Sequence, residues 1–263
     1  MIILSASFTS LAYLIVSLLQ GYSIFSKTKT AHLKTKVLGI ALIAIIAHIH
    51  ILSSQLWSSQ GIILNAPNII SIASFCLVCI ITLSSLHKPV INLFVFFFPI
   101  AAISVLLTTI WNTDSSAQKL SLGLISHIII SIIAYSTLMI SAVQAAFLWT
   151  QHHQLKHNIN GKLSQVLPSL QSMERLLFDL ILMGFLFLTL SILTGVVFRG
   201  LIELNSPEFM QKMIFTVLAW FIYLALLVGH LILGWRGVTA SKLTITGFIF
   251  ILIAIIGTKL LFN

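Results

Sequence analysis

The run SHIIISIIAYSTLMISAVQAAFLWTQ, from Ser126 to Gln151, contains no Asp, Glu, Lys or Arg. It exceeds the ~20 mostly apolar residues that a helix needs to cross a hydrocarbon core. In lipid the backbone must bond to itself, so a run of this length is a helix. Period-two alternation is absent, which argues against a β-barrel. Comparable runs recur along the chain at roughly residues 5–25, 37–57, 69–86, 92–111, 123–151, 176–198, 213–235 and 243–261. The expected fold class is therefore all-α: a polytopic membrane helix bundle of about eight transmembrane helices, with residues 1–263 forming a single transmembrane domain.

Composition agrees. Of the 263 residues 59% are hydrophobic and only 7% are charged, against about 25% charged in soluble domains. No basic residue precedes the first run and a basic cluster follows it, the reverse of a secretory signal, so cleavage is not expected. The net charge of +9 would suggest nucleic acid in a soluble protein. Here the cations occupy short loops, where they set orientation instead. The loops after runs 1, 3, 5 and 7 carry Lys27, Lys29, Lys34, Lys36, Lys88, Lys156, Lys162, Arg175, Arg236 and Lys242, whereas the other side carries Lys119, Arg199, Lys212 and Lys259. The richer side is expected to be cytoplasmic, which puts both termini on the periplasmic side. Trp57, Trp111 and Trp235 stand near run ends, as interfacial aromatics do.

Ionisable groups inside spans are costly and draw attention. His48 and His50 fall in the second run, two residues apart and so on different helix faces. His127 falls near the outer end of the fifth run and His230 in the seventh. Either role is open to these rings: a polar bond to a neighbouring helix, or ligation of haem iron. An iron held by two imidazoles needs them at similar depth. His48 is about ten residues from the outer end of its run, roughly 15 Å at helical rise. His230 lies roughly 18 Å deep if its helix enters the bilayer near Leu218, and roughly 25 Å deep if it enters at Met213. Asp179 follows Arg175 by four residues and is expected to pair with it on one helix face. His152, His153 and His157 lie in the expected long loop, 152–174, with no acid or cysteine near them to complete a metal site, and read as solvated residues. Cys76 and Cys79 form a C-x-x-C inside the third run, where a thiol in hydrocarbon reacts poorly; they read as packing residues.

Several stretches resemble the CcsA-type family of haem-handling membrane proteins of cytochrome c assembly, in its YpjD-like branch. One is the run quoted above, with His127 and, eight residues on, Tyr135. Others are PSLQSMERLLF at 168–178, LTLSILTG at 188–195, AWFIYLALLVGH at 219–230 and GWRG at 234–237. The resemblance covers nearly the whole chain and is clearest over residues 120–242. It implies haem (haem b) as cofactor, with His48 and His230 as the paired intramembrane ligands of its iron and His127 as the first histidine of an external haem site. It also implies a place in the bacterial inner membrane and, as partners beside the lipid bilayer, other cytochrome assembly proteins. The chain departs from the family at two points. The loop RGLIELNSPEFMQK at 199–212 has neither Trp nor Asp where the family carries a Trp-rich motif, and no histidine follows His230. The external haem-presenting motif is thus degenerate. No nucleophile or acid–base pair is evident, so no catalytic residue is assigned. Two other classes compete with haem handling: a small-solute or ion transporter, against which stand few intramembrane acids and no visible repeats, and a ligand-free scaffold for another complex.

Overall fold

The computed structural model describes residues 2–26, 31–58, 61–88, 90–111, 117, 119–156, 168–198 and 207–261. Eight helices among the described residues are long and apolar enough to cross a membrane. The chain is an all-α, multi-pass membrane protein, and it divides into two compact units, 1–120 and 121–263.

The first unit holds α1 (Ile2–Ser26), α2 (Ala31–Leu56), α3 (Ala66–His87) and α4 (Phe94–Ile110). Helix α1 packs on α2 and α4, and α3 packs on the same two helices. Between α2 and α3 a small antiparallel ladder pairs β1 (Trp57–Ser58) with β2 (Gly61–Ile62). Asn68 ties this ladder down, its amide donating to the carbonyls of Gln55 and Ile63 at 3.2 and 3.0 Å. The α3 start is capped by Asn65, whose side chain accepts from the Asn68 N–H at 2.9 Å, with Pro67 in the first turn. Proline costs little there, because the first-turn N–H groups have no intrahelical partner.

The second unit holds α5 (Leu122–Lys156), α6 (Leu170–Val197), α7 (Pro207–Leu233) and α8 (Gly237–Leu261). Helix α5 packs on α6 and α8, and α7 packs on α6 and α8, closing a ring of four. Its core is built from Leu138, Leu148, Leu177, Ile181, Leu188, Tyr223, Leu226 and Ile251.

Both units turn apolar side chains outward, as a lipid-facing surface requires: Leu4, Leu18, Leu83, Leu193 and Leu231 are all exposed. Small and hydroxylated residues are turned inward instead. Without a hydrophobic drive between helices in lipid, close packing and interhelical hydrogen bonds hold them together. Ser74 bonds Ser104 between α3 and α4, Ser131 bonds Ser191 between α5 and α6 at 2.7 Å, and the Trp220 indole donates to Thr189 at 2.8 Å between α7 and α6.

Helix ends differ from the expected runs. Helix α5 spans 35 residues, roughly 52 Å at helical rise and well beyond the ~30 Å core. His152 and His153 are therefore helical, not in a loop. Helix α6 starts at Leu170, capped by Ser169, which takes Glu174 and Arg175 out of the loop as well. Helix α7 starts at Pro207, so residues 207–212 belong to it. Polar residues extend these helices past the apolar runs, so hydropathy alone undercounts them.

Helices α5 and α6 meet closely at Gly184, where a Cβ would lie 2.5 Å from Leu138 Cδ2. Gly184→Leu is expected to destabilise the fold by about 1–3 kcal/mol through overpacking. Gly21→Ala, which meets nothing within 4 Å, is expected to be neutral or to gain up to about 1 kcal/mol of helix propensity. Equilibrium unfolding in detergent compares the two.

Candidate functional site

His48 is wholly buried in the first unit. Its Nδ1 is 3.0 Å from the Tyr13 hydroxyl on α1, and its Nε2 is 2.9 Å from the Ser71 hydroxyl on α3. Phe75 stands edge-on to the ring at 5.4 Å, and Tyr13 is held in turn by Phe98 of α4 at 5.5 Å. One imidazole thus joins three helices, and both of its nitrogens have partners. His50 is exposed on the opposite face, as the two-residue offset predicts.

His127, half-buried in the second turn of α5, meets the Thr194 hydroxyl of α6 through Nδ1 at 3.0 Å. A Cβ on Gly195 would come within 3.2 Å of its Cε1, so α6 passes close to the ring. One turn further along α5, Ser131 accompanies it, donating to the His127 carbonyl at 2.7 Å.

His230 is in the last turn of α7, three residues before its end at Leu233. Counted from Pro207, it lies roughly 35 Å along the helix at standard rise. The turn after α7 fixes the ring. The Trp235 N–H donates back to the Gly229 carbonyl at 3.1 Å, and His230 Nδ1 lies 2.9 Å from the Trp235 carbonyl. A carbonyl only accepts, so Nδ1 carries a proton, and in a neutral ring with that tautomer the lone pair is on Nε2. A Cβ at Gly229 would lie 2.3 Å from Trp235 Cε3, so only glycine lets the indole lie there. Gly234 and Gly237 take φ of +67° and +54°, the left-handed region that glycine enters without cost. The Gly237 N–H, at the start of α8, donates to the Glu174 carboxylate of α6. A carboxylate suits that place, where unpaired N–H groups and the helix dipole favour negative charge.

Phe178 stacks flat on His230, with ring centroids 3.5 Å apart. The two line a cavity of about 310 Å³ with Gln171, Glu174, Arg175, Asp179 and Arg236. A second cavity of about 470 Å³ shares Glu174 and Arg236 and adds Leu148, His152, Leu170, Gly237, Val238 and Thr239. Arg175 and Asp179, expected as a pair on one helix face, both border the first cavity. Sequence reasoning missed Glu174, Phe178 and Arg236 as neighbours of His230. Their only signal was membership in the PSLQSMERLLF and GWRG stretches.

The other candidates do not join this cluster. Among the described residues no group of three or more His, Cys, Asp or Glu side chains could hold a metal ion, and His157 lies outside the described residues. Cys76 and Cys79 are half-buried free thiols. Residues 199–206 of the expected external loop also lie outside the described residues.

The model of the family described as Cytochrome C assembly protein matches residues 10–263, taking in both units. The chain belongs to this family. Its curated relatives include the Inner membrane protein YpjD of Escherichia coli K12, and the same protein of the O6:H1 (CFT073) and O157:H7 strains. Each is 29% identical over 225 residues, 84% of this chain and 84% of the relative. No solved structure matches significantly. Like those relatives, this family member is a multi-pass inner-membrane protein.

Tyr13→Phe removes the partner of His48 Nδ1. A buried group left unsatisfied costs about 1–3 kcal/mol, so chemical unfolding in detergent is expected to show a loss of that size. The exposed Tyr22→Phe is expected to stay within about 0.5 kcal/mol.

Proposed function

We propose that this protein binds haem within the membrane and handles it in the assembly of c-type cytochromes. Family membership supports the class of process. The observation that carries the haem reading is the His230 ring: its Nδ1–H is held by the Trp235 carbonyl, which leaves Nε2 with the lone pair that iron would take. Such a second bond is how proteins orient histidine ligands and raise their basicity. The chemistry of the residues therefore fits the group at His230.

His48 and His230 are the residues proposed to hold the haem iron, and His127 the proposed residue of a separate external site. At His48, Tyr13 can hold Nδ1 while the Ser71 hydroxyl turns away from Nε2 to a backbone carbonyl of its own helix. Such bonds are common for helical serine, and Ser74 makes one to the Ser71 carbonyl at 2.9 Å. Bound haem would supply an iron with two imidazole ligands, a low-spin centre. The residues of this chain bind it, orient it and exclude water from it. Presentation of haem to an apocytochrome lacks support, because residues 199–212 carry no Trp and no histidine follows His230.

One observation favours a second reading for His48 alone. With both nitrogens satisfied and three helices joined through it, it also works as a structural bond of the first unit.

Protein purified from haem-replete cells is expected to carry haem with a low-spin reduced-minus-oxidised spectrum. The spectrum should be lost in His230→Ala and in His48→Ala and kept in His127→Ala. Loss in His230→Ala with retention in a folded His48→Ala protein would assign His48 to structure. Haem-free wild-type protein would overturn the haem reading and leave the scaffold.

A further inference from the structure

We propose that Tyr13 and Ser71 are positioning residues that hold His48 in the tautomer opposite to that of His230. Ser71 then acts as a latch, which must release Nε2 before iron can take it. The latch rests on the haem reading above; the tautomer does not.

Tyr13 on α1, His48 on α2 and Ser71 on α3 are all wholly buried in the first unit. Burial of this degree makes each polar atom depend on a protein partner. The ring contacts are 3.0 Å at Nδ1, to the Tyr13 hydroxyl, and 2.9 Å at Nε2, to the Ser71 hydroxyl. A neutral imidazole has one N–H and one lone pair. One hydroxyl therefore donates to the ring and the other accepts from it. A half-turn of the ring would set carbons against both hydroxyls, so the hydrogen bonds fix its orientation, with Phe75 edge-on beside it.

The two hydroxyls are not equivalent. A helical serine has a second outlet for its hydrogen, the carbonyl of the preceding turn, and Ser74, Ser85 and Ser104 each use it. A phenol oxygen stands too far from its own backbone for such a bond. Among the described residues the Tyr13 hydroxyl has His48 Nδ1 as its one hydrogen-bond partner. Its hydrogen is satisfied by donating there. Nδ1 then accepts, Nε2 carries the proton, and the Nε2–H donates to Ser71 Oγ. His230 is set the other way, with its Nδ1 against a carbonyl. For His48 to offer a lone pair at Nε2, its proton must pass to Nδ1. The Tyr13 oxygen then accepts from Nδ1–H, and the phenol hydrogen loses its acceptor. Two hydrogen bonds break in that exchange and one forms.

Magnetic resonance of the haem-free full chain in phosphatidylcholine nanodiscs, with isotopically labelled Nδ1 in its histidines, reads the tautomer directly. His48, assigned by its proximity to a labelled Tyr13 ring, is expected to show an unprotonated Nδ1, and His230 a protonated one. A protonated Nδ1 at His48 would overturn the inference whatever haem does. Ferric haem is then titrated into the wild type, Ser71→Ala and Ser71→Thr. Ser71→Ala leaves the Nε2–H of the haem-free ring without an acceptor, so low-spin haem should bind it about 5–100-fold more tightly. Ser71→Thr keeps a hydroxyl and should bind as the wild type does. A merely structural Ser71 would leave haem binding by Ser71→Ala unchanged or weaker, and either result overturns the latch while the haem reading stands. A wild type that takes no haem overturns the haem reading and the latch with it, and the resonance measurement still judges the tautomer on its own.

Discussion

Within hydrocarbon a polar group has no water to fall back on, so each one must find its partner inside the protein. That constraint shapes both units. Inward-turned serines such as Ser74, Ser104, Ser131 and Ser191 bond across helices or to the carbonyls of their own turn, while exposed leucines such as Leu4, Leu83 and Leu231 cover the outside. The same constraint separates the histidines. His48 meets it with two side chains on two other helices. His230 meets it with a single backbone carbonyl, and its second nitrogen belongs to a ring that borders a cavity. An imidazole with both nitrogens partnered is stable but occupied. One with a single fixed bond is oriented and ready for a ligand.

The eight crossings were legible because lipid imposes both helix and length, and length is read directly from apolar runs. The ends were not. Stretches rich in polar residues continue α5 to Lys156, begin α6 at Leu170 and begin α7 at Pro207, and their scattered apolar residues do not make a run that hydropathy would pick out. The sequence-based depth of His230 depends on where α7 enters the bilayer, and a helix start does not mark that point. The offset between His48 and His50 was read correctly, since two residues on a helix always differ by about 200°.

The histidines of the site were legible as isolated polar points in apolar runs. Their surroundings were not. Glu174 and Gly237 are 63 residues apart in sequence, and nothing local in either stretch announces a bond between them. Phe178 looks like any other aromatic in a span until it is found flat against His230. Arg236 looked like an orientation signal, and it also borders both cavities at this end of the second unit.

The turn at 234–237 explains why so little sequence can set so much chemistry. Gly229 makes room for the Trp235 indole, and that packing places the Trp235 carbonyl over His230. The carbonyl then decides which ring nitrogen holds the proton. Gly237 bends the chain so that its N–H reaches Glu174, which fixes the start of α8 and with it Arg236. Replacing Gly229 would therefore act on the histidine without touching it, by displacing the indole, while a side chain at Gly237 strains the backbone at the start of α8. On the haem reading, Gly229 and Trp235 together orient the iron ligand, so coordination depends on the packing of one short turn against the end of α7.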